Sequence, residues 1–212
     1  MASMNLDVVC FTGHKSLFGP SGTGGMYIAE HVDISPCRAG GTGVMSALKS
    51  QPEAYPWRME FGTVNLMGVA GLLAAQEWIA ARGGVGAIFD HEMRHARRLR
   101  DGLAEIEGVR LYCADMDRDH LPVFVFNLDG LPADQAGTFL DVEHNVITRT
   151  GLHCAPQVHE GIGTFDCNGT VRFSPGVFTS DAEIERAIDA VREVAAYGRE
   201  RRTRDEVATA MV

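Results

Sequence analysis

Two short stretches of this chain combine reactive side chains with turn residues, and the first of them contains Lys15. An apolar run at 8–11 predicts a buried strand, and residues 12–25 follow it with a His-Lys pair and a glycine-rich turn. A lysine held beside rigid backbone and partly removed from water can act as a nucleophile or base, as Schiff-base chemistry requires. Thr12 and His14 lie close enough in sequence to donate hydrogen bonds to an anion such as phosphate. The alternative is a surface lysine in a β-hairpin turn.

The second stretch is Arg149-Thr150-Gly151-Leu152-His153-Cys154-Ala155-Pro156. Its pattern predicts a strand that ends in a glycine turn, and a proline suited to the first turn of a helix follows. Cys154 lies between His153 and that proline, and cationic neighbours favour the reactive thiolate form of a cysteine. The stretch is therefore a candidate nucleophile site. The alternative is a small buried cysteine that only fills space.

Arg172 is a third candidate, in a strand predicted over 170–174. It alternates with apolar Val171 and Phe173, so its side chain faces the opposite side of the sheet from theirs. A planar guanidinium there could bind a carboxylate through two hydrogen bonds. An exposed arginine on an edge strand is the alternative.

A fourth pattern, His91-Glu92-Met93-Arg94-His95, matches the HExxH spacing in which two histidines one helical turn apart hold zinc. No further zinc ligand follows at metzincin spacing, and nearby arginines at 94, 97, 98 and 100 oppose a bound cation. We interpret the segment as a solvated helix face and predict no metal site. A zinc peptidase built on His91 and His95 remains the alternative.

These motifs resemble those of one enzyme family. Residues 11–25 are similar to the cofactor-lysine motif of class V aminotransferase-like enzymes, the pyridoxal phosphate (PLP) family that includes cysteine desulfurases and selenocysteine lyases. Residues 149–155 resemble the R-x-G-x-H-C-A loop that holds the sulfur-accepting thiol of cysteine desulfurases. Residues 60–65 resemble the family's E-x-G-T-x-N segment. The strand with Arg172 resembles the family's G-x-x-R-x-S strand.

The resemblance implies a role for each candidate residue. Lys15 would form the Schiff base with PLP and then move the Cα proton, while Cys154 would attack the substrate sulfur to give a persulfide and alanine. The remaining candidates are cofactor-binding Thr12, His14 and Thr63, the last acting across a dimer interface, and substrate-binding Arg172 and Arg149. A helix cap is an equally good interpretation of Thr63.

The implied substrate is L-cysteine or a related amino acid, in a homodimer that passes sulfur to a thiol or an acceptor protein. The alternatives left open are another class V PLP aminotransferase or lyase, and a non-catalytic fragment. In the family the lysine lies near the middle of the chain, whereas here it lies near the start. We therefore expect only the C-terminal half of the family's pattern.

The implied fold class is α/β, PLP-dependent transferase fold type I (aspartate-aminotransferase-like). We predict the C-terminal part of the PLP-binding large domain over 1–82, an α+β small domain over 83–198 and a frayed charged tail over 199–212. Apolar periodicity predicts a packing helix with Val69, Leu72, Leu73, Gln76 and Ile79 on one face, a helix from Val85 to about Glu107 and a last helix with a Ser180–Glu183 capping box.

Composition limits the partners. The net charge of −9 over 212 residues argues against a nucleic-acid backbone or an anionic membrane as the main partner. No apolar run reaches membrane-spanning length, and the first residues lack a signal-peptide pattern. Five cysteines without CxxC spacing predict reduced thiols. We therefore expect a cytoplasmic protein.

Overall fold

The computed structural model of the chain describes residues 2–112, 115 and 120–210. It divides into two compact units, Met1–Val85 and Gly86–Val212. The first unit contains a short 3-10 helix at Ala2–Met4, strands β1 (Val8–Thr12) and β2 (Gly24–Ile28), and helix α1 (Leu66–Ala81).

Strands β1 and β2 form an antiparallel hairpin in which Val8 pairs with Ile28 and Thr12 with Gly24. The sequence predicted that β1 would be buried, and this prediction is wrong, since Val8 is 40% and Phe11 43% exposed. Among the described residues, no further strand pairs with this two-stranded sheet to cover its apolar side chains, and three or more strands are usually needed for a stable sheet.

Helix α1 begins after Asn65, whose side chain accepts a hydrogen bond from the backbone N–H of Gly68. Its buried residues are Gly68, Ala75 and Ile79. The predicted packing face was correct at Ile79 but wrong at Leu73, which is 60% exposed. The helix is apolar on all sides, so periodicity could not identify the side that packs within this unit.

The second unit contains a four-stranded antiparallel sheet in the order β3-β4-β6-β5. Its strands are β3 (Val109–Tyr112), β4 (Phe124–Leu128), β5 (Arg149–Gly151) and β6 (Thr170–Phe173). The helices are α2 (Gly84–Ala104), α3 (Ala133–His144), α4 (Pro156–Gly161) and α5 (Asp181–Ala210). Asn145 ends α3 in a left-handed conformation, and strand β5 begins at Arg149.

The hydrophobic core of this unit lies on one face of the sheet. Phe126, Val171, Ala96, Leu140 and Val191 each have 0% exposure and come from β4, β6, α2, α3 and α5. Helices therefore cover one sheet face, as the α+β pattern predicted. The opposite face is left for polar side chains such as Arg172.

Helix α5 has the predicted capping box. Ser180 Oγ accepts from the backbone N–H of Glu183, and a Glu183 carboxylate oxygen accepts from the backbone N–H of Ser180. The backbone N–H and the hydroxyl of Ser180 both donate to this carboxylate, and these two bonds hold the pKa of Glu183 below its usual value. The helix continues beyond Gly198 to Ala210 where a frayed tail was expected, and Arg202 and Arg204 form i,i+4 ion pairs with Glu206 and Glu200. Within the described residues, no helix is both long enough and apolar enough to cross a bilayer.

Candidate functional site

Lys15 lies in the turn that joins β1 to β2, and this turn packs on α1. The carbonyl oxygen of Leu17 accepts a hydrogen bond from Gln76 at 3.1 Å, and the ring of Phe18 lies 5.3 Å from that of Trp78. Phe18 takes a left-handed backbone conformation with φ of 56°. These contacts fix the residues that follow Lys15 against a helix, which gives the lysine a rigid base.

Two glycines of α1 allow the turn to come close. A Cβ atom at Gly68 would lie 2.8 Å from Thr23 Cγ2, and one at Gly71 would lie 2.6 Å from Pro20 Cγ. Real Cβ atoms do not approach side chains that closely. The glycines therefore set the depth at which the lysine turn rests on the helix.

The side chains predicted to bind a cofactor are accessible to a ligand in this unit. Lys15, Thr12, His14 and Thr63 are all exposed, and none has a side-chain hydrogen bond or ion pair within the part of the chain that the structure describes. The cap of α1 is Asn65, so the alternative interpretation of Thr63 as a helix cap is wrong.

The thiol site lies in the second unit, in the loop between β5 and α4. Gly151, His153 and Cys154 have positive φ angles of 98°, 52° and 60°. Two adjacent non-glycine residues in the left-handed region are uncommon, and such strain is found most often at functional sites. The loop leaves Cys154 exposed, so the interpretation as a buried space-filling cysteine is wrong.

Arg149 is the direct partner of this thiol, with its Nη2 atom donating to Cys154 Sγ over 3.2 Å. A charged donor at this distance stabilises a thiolate. The helix that follows has only six residues, so the arginine, rather than the helix terminus, is the main cation at the sulfur.

Arg172 lies directly opposite Arg149 on the neighbouring strand. Because β6 is paired on both sides, the alternative of an exposed edge-strand arginine is wrong. Its Nε atom is buried and has no hydrogen-bond partner among the described residues. Burial first, and then Arg149, lower the pKa of Arg172, while Cys154 acts in the opposite sense. This arrangement suits an anionic ligand.

His153 faces away from the thiol chemistry that the sequence suggested for it. Its Nε2 atom pairs with Thr170 Oγ1 at 3.0 Å, and its ring lies 5.4 Å from that of His159. Burial first, and then the charge of Arg172, lower the pKa of His153 from 6.5 to about 4, so the imidazole is neutral near pH 7. A neutral imidazole adds no positive charge at the thiol.

Two buried hydroxyl groups behind the loop were missed in the sequence. Thr170 anchors His153, and Thr164 Oγ1 pairs with His159 Nδ1 at 2.7 Å. Both threonines have 0% exposure. Thr170 lies two residues before Arg172 and therefore on the same sheet face, and this spacing could have identified Thr170 from the sequence.

The HExxH segment ties α2 to the start of α5, and its interpretation as a solvated helix face is wrong, since Met93 and His95 are buried. His95 is 2% exposed and pairs with Asp181 at 2.7 Å, an interaction that lowers the pKa of that carboxylate. His91 pairs with the carbonyl oxygen of Thr179 at 3.3 Å, and Arg94 donates to its other ring nitrogen at 3.1 Å. These contacts give both imidazoles structural partners and place a guanidinium beside His91, which opposes the zinc alternative.

Similarity to a known family extends over most of the chain. The model described as "Aminotransferase class-V" matches residues 1–187. The chain belongs to the aminotransferase class-V family.

Two curated relatives of this class-V chain are both named as cysteine desulfurases, one of them as probable. A cysteine desulfurase of Escherichia coli O127:H6 is 29% identical over 197 residues, which cover 91% of this chain and 46% of that protein. A probable cysteine desulfurase of Methanothermobacter thermautotrophicus is 27% identical over 200 residues, with 92% and 49% coverage. The chain thus spans about half the length of the curated relatives it matches.

Solved structures confirm the class-V fold. An apo cysteine desulfurase from Thermococcus onnurineus NA1 matches with a TM-score of 0.80 and 33% identity, over 92% of this chain and 48% of that one. The cysteine desulfurase CsdA from Escherichia coli matches with a TM-score of 0.79 and 26% identity, with the same coverage. The predicted fold class, PLP-dependent transferase fold type I, is therefore confirmed, and the family and its named relatives point to a PLP-dependent enzyme.

Proposed function

We propose that this class-V chain supplies the lysine, the thiol and the substrate-binding arginine of a PLP-dependent cysteine desulfurase, which converts L-cysteine to alanine and a persulfide on Cys154. The observation that supports it best is the loop in which Arg149 contacts Cys154 Sγ at 3.2 Å and faces Arg172 across the strand pair. A sulfur nucleophile and a carboxylate-binding guanidinium are two of the groups that this reaction requires.

The residues of the first unit fit PLP. Among the described residues, none pairs with the amine of Lys15, which lies on a turn held firmly by α1. A lysine amine is the group that bonds to the cofactor's aldehyde. Thr12 and His14 would donate hydrogen bonds to its phosphate, and Thr63 would do so from the partner subunit of a homodimer. When bound, PLP supplies an electron sink for the Cα atom of the amino acid.

The chain's own residues then have separate tasks. Arg172 would hold the substrate carboxylate through its buried Nε and neighbouring N–H groups. Lys15 would take the proton from Cα and return a proton to the product. Arg149 donates a hydrogen bond to Cys154, whose sulfur would attack the substrate's sulfur so that an S–S bond forms as the C–S bond breaks.

His153 has a positioning role in this proposal. As a neutral ring tied to Thr170, it holds the left-handed loop that presents Cys154. We expect the persulfide sulfur to pass from Cys154 to a small thiol or an acceptor protein, because the sulfur is exposed.

The test uses the chain with L-cysteine and PLP, combined with any further polypeptide that completes its activity. We expect alanine formation, and we expect borohydride to fix PLP on Lys15 and not on Lys49, the only other lysine. Cys154→Ser should keep the PLP bound to Lys15 but stop sulfur release. Arg172→Gln should weaken cysteine binding by about 1.5 to 3 kcal/mol, because a charged hydrogen bond is lost.

Labelling of Lys49, or normal alanine production by Cys154→Ser, would contradict the proposal. Arg110→Gln is the matched control for Arg172→Gln, since Arg110 lies on β3 of the same sheet, opposite Asn127. This control should bind cysteine normally.

A further inference from the structure

Two cavities follow one side of α5 in the second unit. The smaller, of about 180 Å³, lies near the start of the helix, and its lining includes Asn145, Glu183 and Arg186. The larger, of about 400 Å³, lies further along the helix. The residues that line the larger cavity are Phe139, Glu143, His144, Glu193, Val194 and Tyr197.

The two cavities adjoin at the end of α3, because His144 lines the larger and Asn145 the smaller. Along α5 the lining residues extend from Glu183 to Tyr197. At a rise of about 1.5 Å per residue, this stretch of helix is about 21 Å long. An extended peptide advances about 3.3 Å per residue, so about six residues would span it. We call this combined surface the α3–α5 groove.

Two aromatic rings contribute to the larger cavity. The ring of Phe139 lies 5.0 Å from that of Tyr197, at an angle of 58°. Tyr197 is 47% exposed, whereas Val194, one turn earlier on α5, is buried. An accessible aromatic ring attracts an arginine or lysine head group, and the methylene stem of such a side chain packs on apolar surface. The cavity therefore suits a long basic side chain.

The carboxylates of the larger cavity have no cation to pair with. Glu143 comes from α3 and Glu193 from α5, and both are exposed. Neither carboxylate has a hydrogen bond or ion pair within the part of the chain that the structure describes. The six lining residues include no lysine or arginine, and α3 has carboxylates at 134, 141 and 143 without either basic residue. This end of the groove is therefore complementary to a positive charge.

We propose that the α3–α5 groove binds a short extended segment of a partner protein, with an arginine or lysine side chain placed on the Tyr197 ring beside Glu143 and Glu193. The length of the groove favours a peptide, since a small cation would occupy only the larger cavity. Arg186 lines the smaller cavity and directs the basic side chain to the opposite end. This interaction uses neither Lys15 nor Cys154, and it goes beyond the proposed desulfurase function.

The experiment titrates the full chain with a six-residue probe, acetyl-Ser-Ala-Val-Ala-Arg-Ser-amide. The matched peptide has citrulline in place of arginine, which keeps the shape and removes the charge. Calorimetry measures the affinity, and NMR of isotope-labelled tyrosine rings locates the site, because the chain has only four tyrosines. We expect the arginine peptide to shift the Tyr197 signal and to bind about tenfold more tightly than the citrulline peptide, because a charged hydrogen bond is lost in the latter.

Variants of the groove separate its charges from its aromatic surface. Glu143→Gln and Glu193→Gln should each weaken binding of the arginine peptide about tenfold. Glu160→Gln is the matched control, since Glu160 is an exposed residue of α4 that does not line the groove, and its affinity should be unchanged. Tyr197→Ala should weaken binding, whereas Tyr197→Phe keeps the ring and should bind normally.

Equal binding of the arginine and citrulline peptides would overturn the proposal, as would normal binding by Glu143→Gln and Glu193→Gln. Shifts confined to Tyr27, Tyr55 or Tyr112 would also overturn it, because they would place the peptide elsewhere. Arginine amide is the small-cation probe, and an affinity equal to that of the peptide would contradict a peptide site. The assay does not measure alanine formation, so its failure leaves the proposed desulfurase function standing.

Discussion

At the residue scale, the site depends on which neighbour of Cys154 reaches its sulfur. Arg149, five residues earlier in sequence, contacts Sγ, whereas adjacent His153 turns to Thr170. The left-handed backbone at both 153 and 154 separates the two side chains. The sulfur is therefore paired with a guanidinium, which stays charged over the whole physiological pH range.

The first prediction concerns this pair. Arg149→Gln should lower the rate of Cys154 alkylation by iodoacetamide at pH 7 about tenfold, because a charged hydrogen bond to the thiolate is lost. Peptide mass spectrometry would follow the labelled cysteine. Arg110→Gln, on β3 of the same sheet, should leave the rate unchanged, and an equal loss in both variants would contradict the pairing.

The second prediction concerns the neutral state of His153. Its pKa of about 4 lies below the ordinary 6.5, so the unfolded chain binds more protons than the folded chain between these pH values. Stability from this group is fully present above pH 6.5 and falls as the pH drops toward 4. His153→Gln removes the titrating ring while keeping a polar partner for Thr170.

Urea unfolding measured at steps from pH 7 to pH 4 would check this. The unfolding midpoint of the unchanged chain should fall more steeply than that of His153→Gln across the range. His120→Gln is the control, since His120 lies outside this cluster and has an exposed hydrogen bond to the carbonyl oxygen of Leu121. Parallel curves for the unchanged chain and His153→Gln would show that the ring is not held neutral.

At the element scale, α1 positions the lysine turn through contacts that require glycine. Helix propensity alone would favour alanine over glycine by up to about 1 kcal/mol. At Gly71 the new methyl group would press on the ring of Pro20, whereas at Gly86 in α2 nothing lies within 4 Å of a Cβ. Packing therefore opposes alanine at Gly71. At Gly86 only helix propensity acts, and it favours alanine.

The third prediction follows from this contrast. Gly71→Ala should destabilise the first unit and alter the fluorescence of Trp78, whose ring contacts Phe18 of the turn. Gly86→Ala should instead stabilise its helix by up to about 1 kcal/mol. Urea titrations monitored by fluorescence and circular dichroism would compare the two, and a stabilising Gly71→Ala would contradict the close packing of turn and helix.

At the scale of the whole molecule, the two units differ in how completely they bury their apolar residues. The second has a core with many side chains below 5% exposure, while the first exposes Met67 at 84% and Leu66 at 71% on α1. An apolar surface of this kind favours association with another surface.

The fourth prediction is that the 212-residue chain alone self-associates through α1. The double variant Met67→Lys and Leu73→Lys should lower its mass in light scattering, because two exposed apolar side chains become charged. Val142→Lys changes a 69% exposed residue of α3 and should have no effect. A monomeric mass for the unchanged chain would contradict the prediction.

The sequence by itself determined the family, the order of the motifs and most elements of the second unit. Apolar residues alternate along 170–173 and repeat at helical spacing from Ile184 to Val194. Burial of one face follows directly from each of these patterns. The capping box at Ser180 is likewise local, since both partners lie within one helical turn.

Only the tertiary structure decided what depends on contacts distant in sequence. It placed Arg149 opposite Arg172, and it tied His153 to Thr170, 17 residues away. It also showed that β1 is exposed and that α1 packs through glycine. An apolar run indicates that its side chains favour burial. Whether that burial occurs depends on which other segments of the polypeptide lie against them.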